Sequence, residues 1–109
     1  MQLIHCYAAA DQTAGERSQA IDAASRVFQK HFGQEYALFY EPLTAQIAAE
    51  PAAGRLYIMV GTPGEGLPVE KRAAVAADLR SAIPLPQDIL FQAYPLDAVA
   101  ENGQYLADL

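Results

Sequence analysis

Arg55-Leu56-Tyr57-Ile58-Met59-Val60 is the clearest strand signal in the chain. Its branched and aromatic side chains suit a pleated, half-buried surface. Gly61-Thr62-Pro63-Gly64-Glu65-Gly66 follows and reads by composition as a loop. Pro68 suits the first turn of a helix, and Glu70 puts a favourable charge there. Val75, Leu79, Ala82 and Ile83 then recur as an apolar stripe, and Pro84 and Pro86 end the helix. Asp88-Ile89-Leu90-Phe91-Gln92-Ala93-Tyr94 reads as a further strand, closed by Pro95. This half of the chain is predicted to be β-α-β.

The other half repeats that order. Residues 3–9 are short and apolar and read as a strand. Thr13-Ala14-Gly15-Glu16 fits a capping box, with a hydroxyl for the orphan amides and a carboxylate three residues on. Ala20, Ile21, Ala24, Val27, Phe28 and Phe32 recur at helical spacing, and Gly33 is placed as the stop. Tyr36-Ala37-Leu38-Phe39-Tyr40 reads as a strand closed by Pro42. Residues 44–54, alanine-rich with Pro51 and Gly54, read as a connection with room for a short helical turn. The offset that places Leu3 on Leu56 also places Pro42 on Pro95 and Leu43 on Leu96. One residue more places Glu16 on Glu70, Arg17 on Lys71 and Arg26 on Arg80. The expectation is one domain over residues 1–109, with an internal repeat over 1–48 and 54–101. Coincidence between two similar patterns is the plainer alternative.

Composition narrows the function classes. The 109 residues are 52% hydrophobic and 18% charged, a folding composition for one small domain. The net charge of −6 argues against a nucleic-acid partner, which needs a basic face, and against adhesion to an anionic membrane. Cys6 alone makes no intrachain disulfide, and with His5 and His31 it leaves little for a metal. Neither a metal nor a cofactor is expected. Met1-Gln2-Leu3-Ile4-His5-Cys6-Tyr7 has no basic start and no long apolar run, so a cytoplasmic location is the default expectation.

The duplicated β-α-β order, with Pro95-Leu96-Asp97-Ala98-Val99-Ala100-Glu101-Asn102-Gly103-Gln104-Tyr105-Leu106 behind it, resembles the tautomerase superfamily. The tail segment is similar to that of the cis-3-chloroacrylic acid dehalogenase group. The resemblance implies an α/β (α+β) chain: a four-stranded mixed sheet with two helices on one face, three such chains forming a homotrimer. It also implies a small carboxylate-bearing substrate, a keto or enol acid, at the start of the first strand. In that superfamily an amino-terminal proline in an apolar pocket serves as the base. Here position 2 is Gln2. Its bulk is expected to hinder removal of Met1, which leaves a primary amine on a flexible Met. The dehalogenase group's paired arginines fall on Gly64 and Leu67, and its strand tyrosine on Leu90. The asparagine of the relatives resembling macrophage migration inhibitory factor falls on Gln92.

Seven residues are therefore singled out. Met1, Gln2 and Glu101 are the catalytic candidates. Glu101 would orient substrate or water, and its plainer reading is a solvated turn carboxylate. Arg55, Gln92, Tyr36 and Tyr94 are the substrate-binding candidates. An arginine fork fits a carboxylate bidentately, but a surface ion pair explains Arg55 as well. Strand tyrosines are more often core or interface. A Cys6–His5 dyad is geometrically poor, because adjacent strand residues face opposite ways. Three readings stay open: an enzyme-like tautomerase site, a same-fold chain that binds or oligomerises without catalysis, and a ferredoxin-like small-molecule-binding module. The last shares the element order but inserts another strand between the first two.

Overall fold

The computed structural model describes residues 1–8, 13–42 and 56–108. The connection expected over 44–54 lies outside them, and so does Arg55.

Strand β1 (Gln2–Ala8) buries Ile4, Cys6 and Ala8 and turns Leu3, His5 and Tyr7 the other way. Helix α1 (Ala14–Phe32) begins at the predicted capping box: the Glu16 amide donates to Thr13 Oγ1, and the Thr13 amide to Glu16 Oε1. It ends at Gly33, whose φ of 62° lies in the region glycine adopts without strain. Ala20, Ala23, Ala24, Val27 and Phe28 form its buried stripe. Strand β2 (Tyr36–Pro42) lies parallel to β1, and Gln2 sits opposite Tyr36.

Strand β3 (Leu56–Pro63) runs antiparallel to β1, and β4 (Gln87–Tyr94) runs parallel to β3. Helix α2 (Val69–Ala82) joins them and buries Val75 and Leu79. Ile83 is buried just beyond the helix, whereas Ala82 of the predicted stripe is exposed. The carbonyls of Leu79 and Ile83 both accept from the Gln87 side-chain amide, which closes the helix end.

The sheet order is β2-β1-β3-β4. Strands β1 and β2 are direct parallel neighbours, so the ferredoxin-like arrangement is excluded. The core lies between one sheet face and the helix pair, with Phe28, Ile4, Leu56, Ile58 and Leu79 among its fully buried side chains.

The glycine-rich loop needs a correction. Strand β3 continues through Gly61, Thr62 and Pro63, and the turn begins only at Gly64. Gly61 is in the strand because of close approach: a Cβ there would stand 3.2 Å from the Leu3 carbonyl oxygen and 3.6 Å from the Tyr94 ring. Pro63 lies past Gly61, the last β3 residue paired with β1, so only β4 flanks it there.

After β4 the tail folds into a small hairpin of β5 (Ala100–Glu101) and β6 (Gln104–Tyr105). Asn102 and Gly103 connect the two strands with φ of 52° and 83°, as the tightest hairpin connection requires.

Candidate functional site

The first strand starts at the rim of the sheet. The Gln2 amide donates to the Glu35 carbonyl at 2.9 Å, which ties the strand's first residue to the turn before β2. Alternation sends the Gln2 side chain toward the helices. There Thr62 Oγ1 donates to Gln2 Oε1 at 2.5 Å. Thr62 is 6% exposed, the one polar residue among the buried positions described. A buried hydroxyl needs a partner, and Gln2 supplies it.

Met1 lies on the other side. The Tyr94 hydroxyl donates to the Met1 carbonyl oxygen at 2.5 Å. The ring reaches it by passing over Gly61. Met1, the residue before β1, is thereby held from β4 and stays exposed. Burial pushes the Tyr94 phenol above its usual range, and the charge of Glu101 adds to the push. Glu101 is thus within electrostatic reach of Tyr94, placed there by the β5–β6 hairpin. A neutral phenol is the form that donates to Met1.

Four of the seven candidates therefore gather at one end of the sheet: Met1, Gln2, Tyr94 and Glu101. Tyr36 sits beside Gln2 in register, but its hydroxyl donates to the Ser25 carbonyl at 3.3 Å and its ring packs on Phe28. It forms a wall. Gln92 pairs with Gly61 on β4 and is exposed at the sheet edge. It lines a cavity of about 270 Å³ with Glu65 and Arg72, apart from the Met1 group. Thr62 is the residue the sequence reading left out. The alternation Leu56, Ile58, Val60 points to it, but glycine and proline beside it read as loop.

Other reactive groups are set aside by their surroundings. Burial pushes the Cys6 thiol up to about 12, which leaves almost no thiolate at neutral pH. Among the described residues no three His, Cys, Asp or Glu side chains form a metal cluster.

No family model matches the sequence, and no curated protein matches it. Solved structures do match. One is Pt0534 inactivated by 2-oxo-3-pentynoate, with TM-score 0.77 and 16% identity over 98% of both chains. A wild-type fused 4-OT in a symmetric trimer matches with TM-score 0.73 and 16% identity over 96% of both chains. The chain has the tautomerase-superfamily fold. N1, a member of the cis-3-chloroacrylic acid dehalogenase family, matches with TM-score 0.67 and 13% identity over 95% of this chain and 82% of its own. No helix among the described residues is long and apolar enough to cross a membrane.

Proposed function

We propose that the Met1 end of β1 is a site for a small keto or enol acid, and that the Met1 amine carries the proton between its carbon and oxygen. The observation that carries this reading is the Tyr94–Met1 hydrogen bond. It holds the residue that bears the amine from β4, two strands away in the sheet, although the chain has no proline ring to stiffen that position. Positioning of this kind is what a general base requires.

The roles follow from placement. Tyr94 holds Met1, and Glu101 beside it orients the substrate or a water. Gln2 is fastened to Thr62 and serves as the floor of the site. Tyr36 walls it. Gln92 and Arg55 are assigned to the substrate carboxylate. Gln92 stands on the sheet face opposite the helices, so in an assembly it is positioned to serve a neighbouring chain's site.

That assembly is the second part of the proposal: three copies of this chain pack through the open sheet face. Phe39 and Leu90 are 46% and 51% exposed on that face. The fused 4-OT neighbour is a symmetric trimer.

A second reading has its own observation. Gln2 stands where the resembled enzymes carry proline, and its side chain is engaged with Thr62. On that reading the same site binds a carboxylate without catalysis.

Ketonisation of phenylpyruvate enol or 2-hydroxymuconate, followed by absorbance, separates the two. A rate above buffer is expected, lowered about tenfold or more by Glu101→Gln and raised by Gln2→Pro. A wild-type rate equal to buffer would remove the catalytic reading. A gain in Gln2→Pro would then show a pocket that binds but lacks its base.

A further inference from the structure

The open sheet face is organised in rows, because the strand registers align. Phe39 of β2 is opposite His5 of β1, His5 is opposite Met59 of β3, and Met59 is opposite Leu90 of β4. One line of side chains therefore crosses all four strands. It is apolar except at His5, and both of its ends are exposed.

His5 is held flat within this line. Its ring stacks on Phe39 with centroids 4.9 Å apart and planes within 16°, and on Tyr7 at 6.1 Å and 9°. Its Nδ1 is buried and meets no hydrogen-bond partner among the described residues. A buried ring nitrogen without a partner is uncommon. Covering the row with another copy would deepen that burial.

Resting on the trimer reading above, we propose that the Phe39-His5-Met59-Leu90 row is the contact between copies of this chain and that His5 makes it proton-sensitive. Burial in an apolar contact disfavours a charged ring. Assembly is therefore linked to neutral His5, and it weakens as the pH falls and the ring is charged. Imidazole is the side chain that ordinarily changes charge between about pH 5 and 8.

The titratable groups on this face are few. Tyr7 follows on β1, Glu41 on β2, Tyr57 on β3 and Asp88 on β4, and Tyr94, with Glu101 in electrostatic reach, lies over Gly61 toward the Met1 end. Glu41, Tyr7, Tyr57 and Asp88 form the next row. The row on the other side is Ala37, Leu3, Gly61 and Gln92, with nothing that ionises in its side chains. No carboxylate lies in the His5 row itself. The other histidine, His31, lies on α1 and bonds Asp78 on α2, behind the opposite face of the sheet.

Light scattering at about pH 8 and about pH 5.5, at constant ionic strength, tests the proposal. Far-UV circular dichroism in parallel reports that the chain stays folded. Wild type is expected at three chain masses at the higher pH. At the lower pH its assembly is expected to be roughly tenfold weaker or more, with its helix signal retained. His5→Phe and His5→Gln are expected to assemble equally at both values, and His31→Gln to keep the wild-type pH step. Equal assembly of wild type at both pH values would overturn the role of His5 and leave the trimer standing. The same overturning follows if both His5 variants dissociate on acidification as wild type does. A single chain mass at the higher pH would overturn the trimer, and the His5 contact with it.

Discussion

The two β-α-β halves share one topology and divide the work. In the first, α1 buries five residues, starts at a reciprocal Thr13–Glu16 cap and ends at Gly33. In the second, α2 buries two residues within its length and starts at Pro68 with no side-chain cap. The second half instead contributes polar groups to the far end of the sheet: Thr62 from β3, Tyr94 from β4 and Glu101 from the tail. Both halves pack the core, with Phe28 and Ile4 from the first and Leu56, Ile58, Val60, Val75, Leu79 and Ile83 from the second fully buried, and the second half also surrounds the first residue of the other. A repeated fold unit can thus keep its hydrogen-bond ladder while its side chains take different duties.

The difference in packing gives the largest expected effect. Phe28 is fully buried between the sheet and the helices and touches the Phe32 and Tyr36 rings. Phe28→Ala is expected to cost about 3–5 kcal/mol in urea unfolding. The smaller Val75→Ala on α2 should cost about half as much, because fewer buried methyl groups are lost. Equal losses would mean that the amount of apolar side chain removed does not set the cost.

The cap comes next. Thr13→Ala removes a side-chain acceptor from the Glu16 amide and should cost about 1 kcal/mol. Pro68→Ala loses no such bond, so its cost should be the smaller of the two, measured by the same unfolding curves.

Much of this first half was legible in the sequence. Thr13, Glu16 and Gly33 announce a helix by local chemistry alone, and the period of Ala20, Ala24, Val27 and Phe28 gives its buried side. The end of β3 was not legible. Gly61 and Pro63 are strand residues only because Tyr94 and Leu3 crowd one and the pairing with β1 stops before the other, and both reasons are tertiary. The site was half legible for a similar reason. Tyr36 and Tyr94 look alike in sequence, yet one hydroxyl is committed to Ser25 and the other to Met1. Gln92 was placed by analogy with a strand position, and the register puts it on the edge strand, two strands from β1.

The helix pair offers a pH test of how the halves dock. Lys30 Nζ and His31 Nε2 of α1 both bond Asp78 of α2, at 2.9 and 2.6 Å. Hydrogen bonds from Lys30 and then His31 hold the Asp78 carboxyl below its usual range. A carboxyl lowered on folding contributes stability above its unfolded value and loses it as the pH falls through the folded value. The contribution should therefore be present near neutrality and fade below the ordinary carboxylate range, about pH 4. Asp78→Asn should flatten that part of the stability profile measured by urea midpoints. An unchanged profile would mean that the halves dock by apolar contact alone.

The smallest effect is spectroscopic. Tyr94 is raised by burial and then by Glu101. Tyr94→Phe should remove one late-ionising phenol from an absorbance titration, and Glu101→Gln should move that phenol back toward its ordinary value. Because the folded value is raised, the hydroxyl's bond to Met1 is intact below the ordinary tyrosine range and is lost as the pH climbs through the raised one. If neither variant alters the titration, Glu101 does not act on Tyr94.

The most direct test of the Met1 site is covalent. An amine that adds across the triple bond of 2-oxo-3-pentynoate forms a carbon–nitrogen bond, turns the alkyne into an alkene and moves its proton to carbon. The chain then gains the whole reagent mass. One equivalent on the peptide that begins at Met1 is the expected result, with Cys6 unmodified. An unlabelled chain, or label on Lys30 and Lys71 with none on Met1, would contradict the placement of the site.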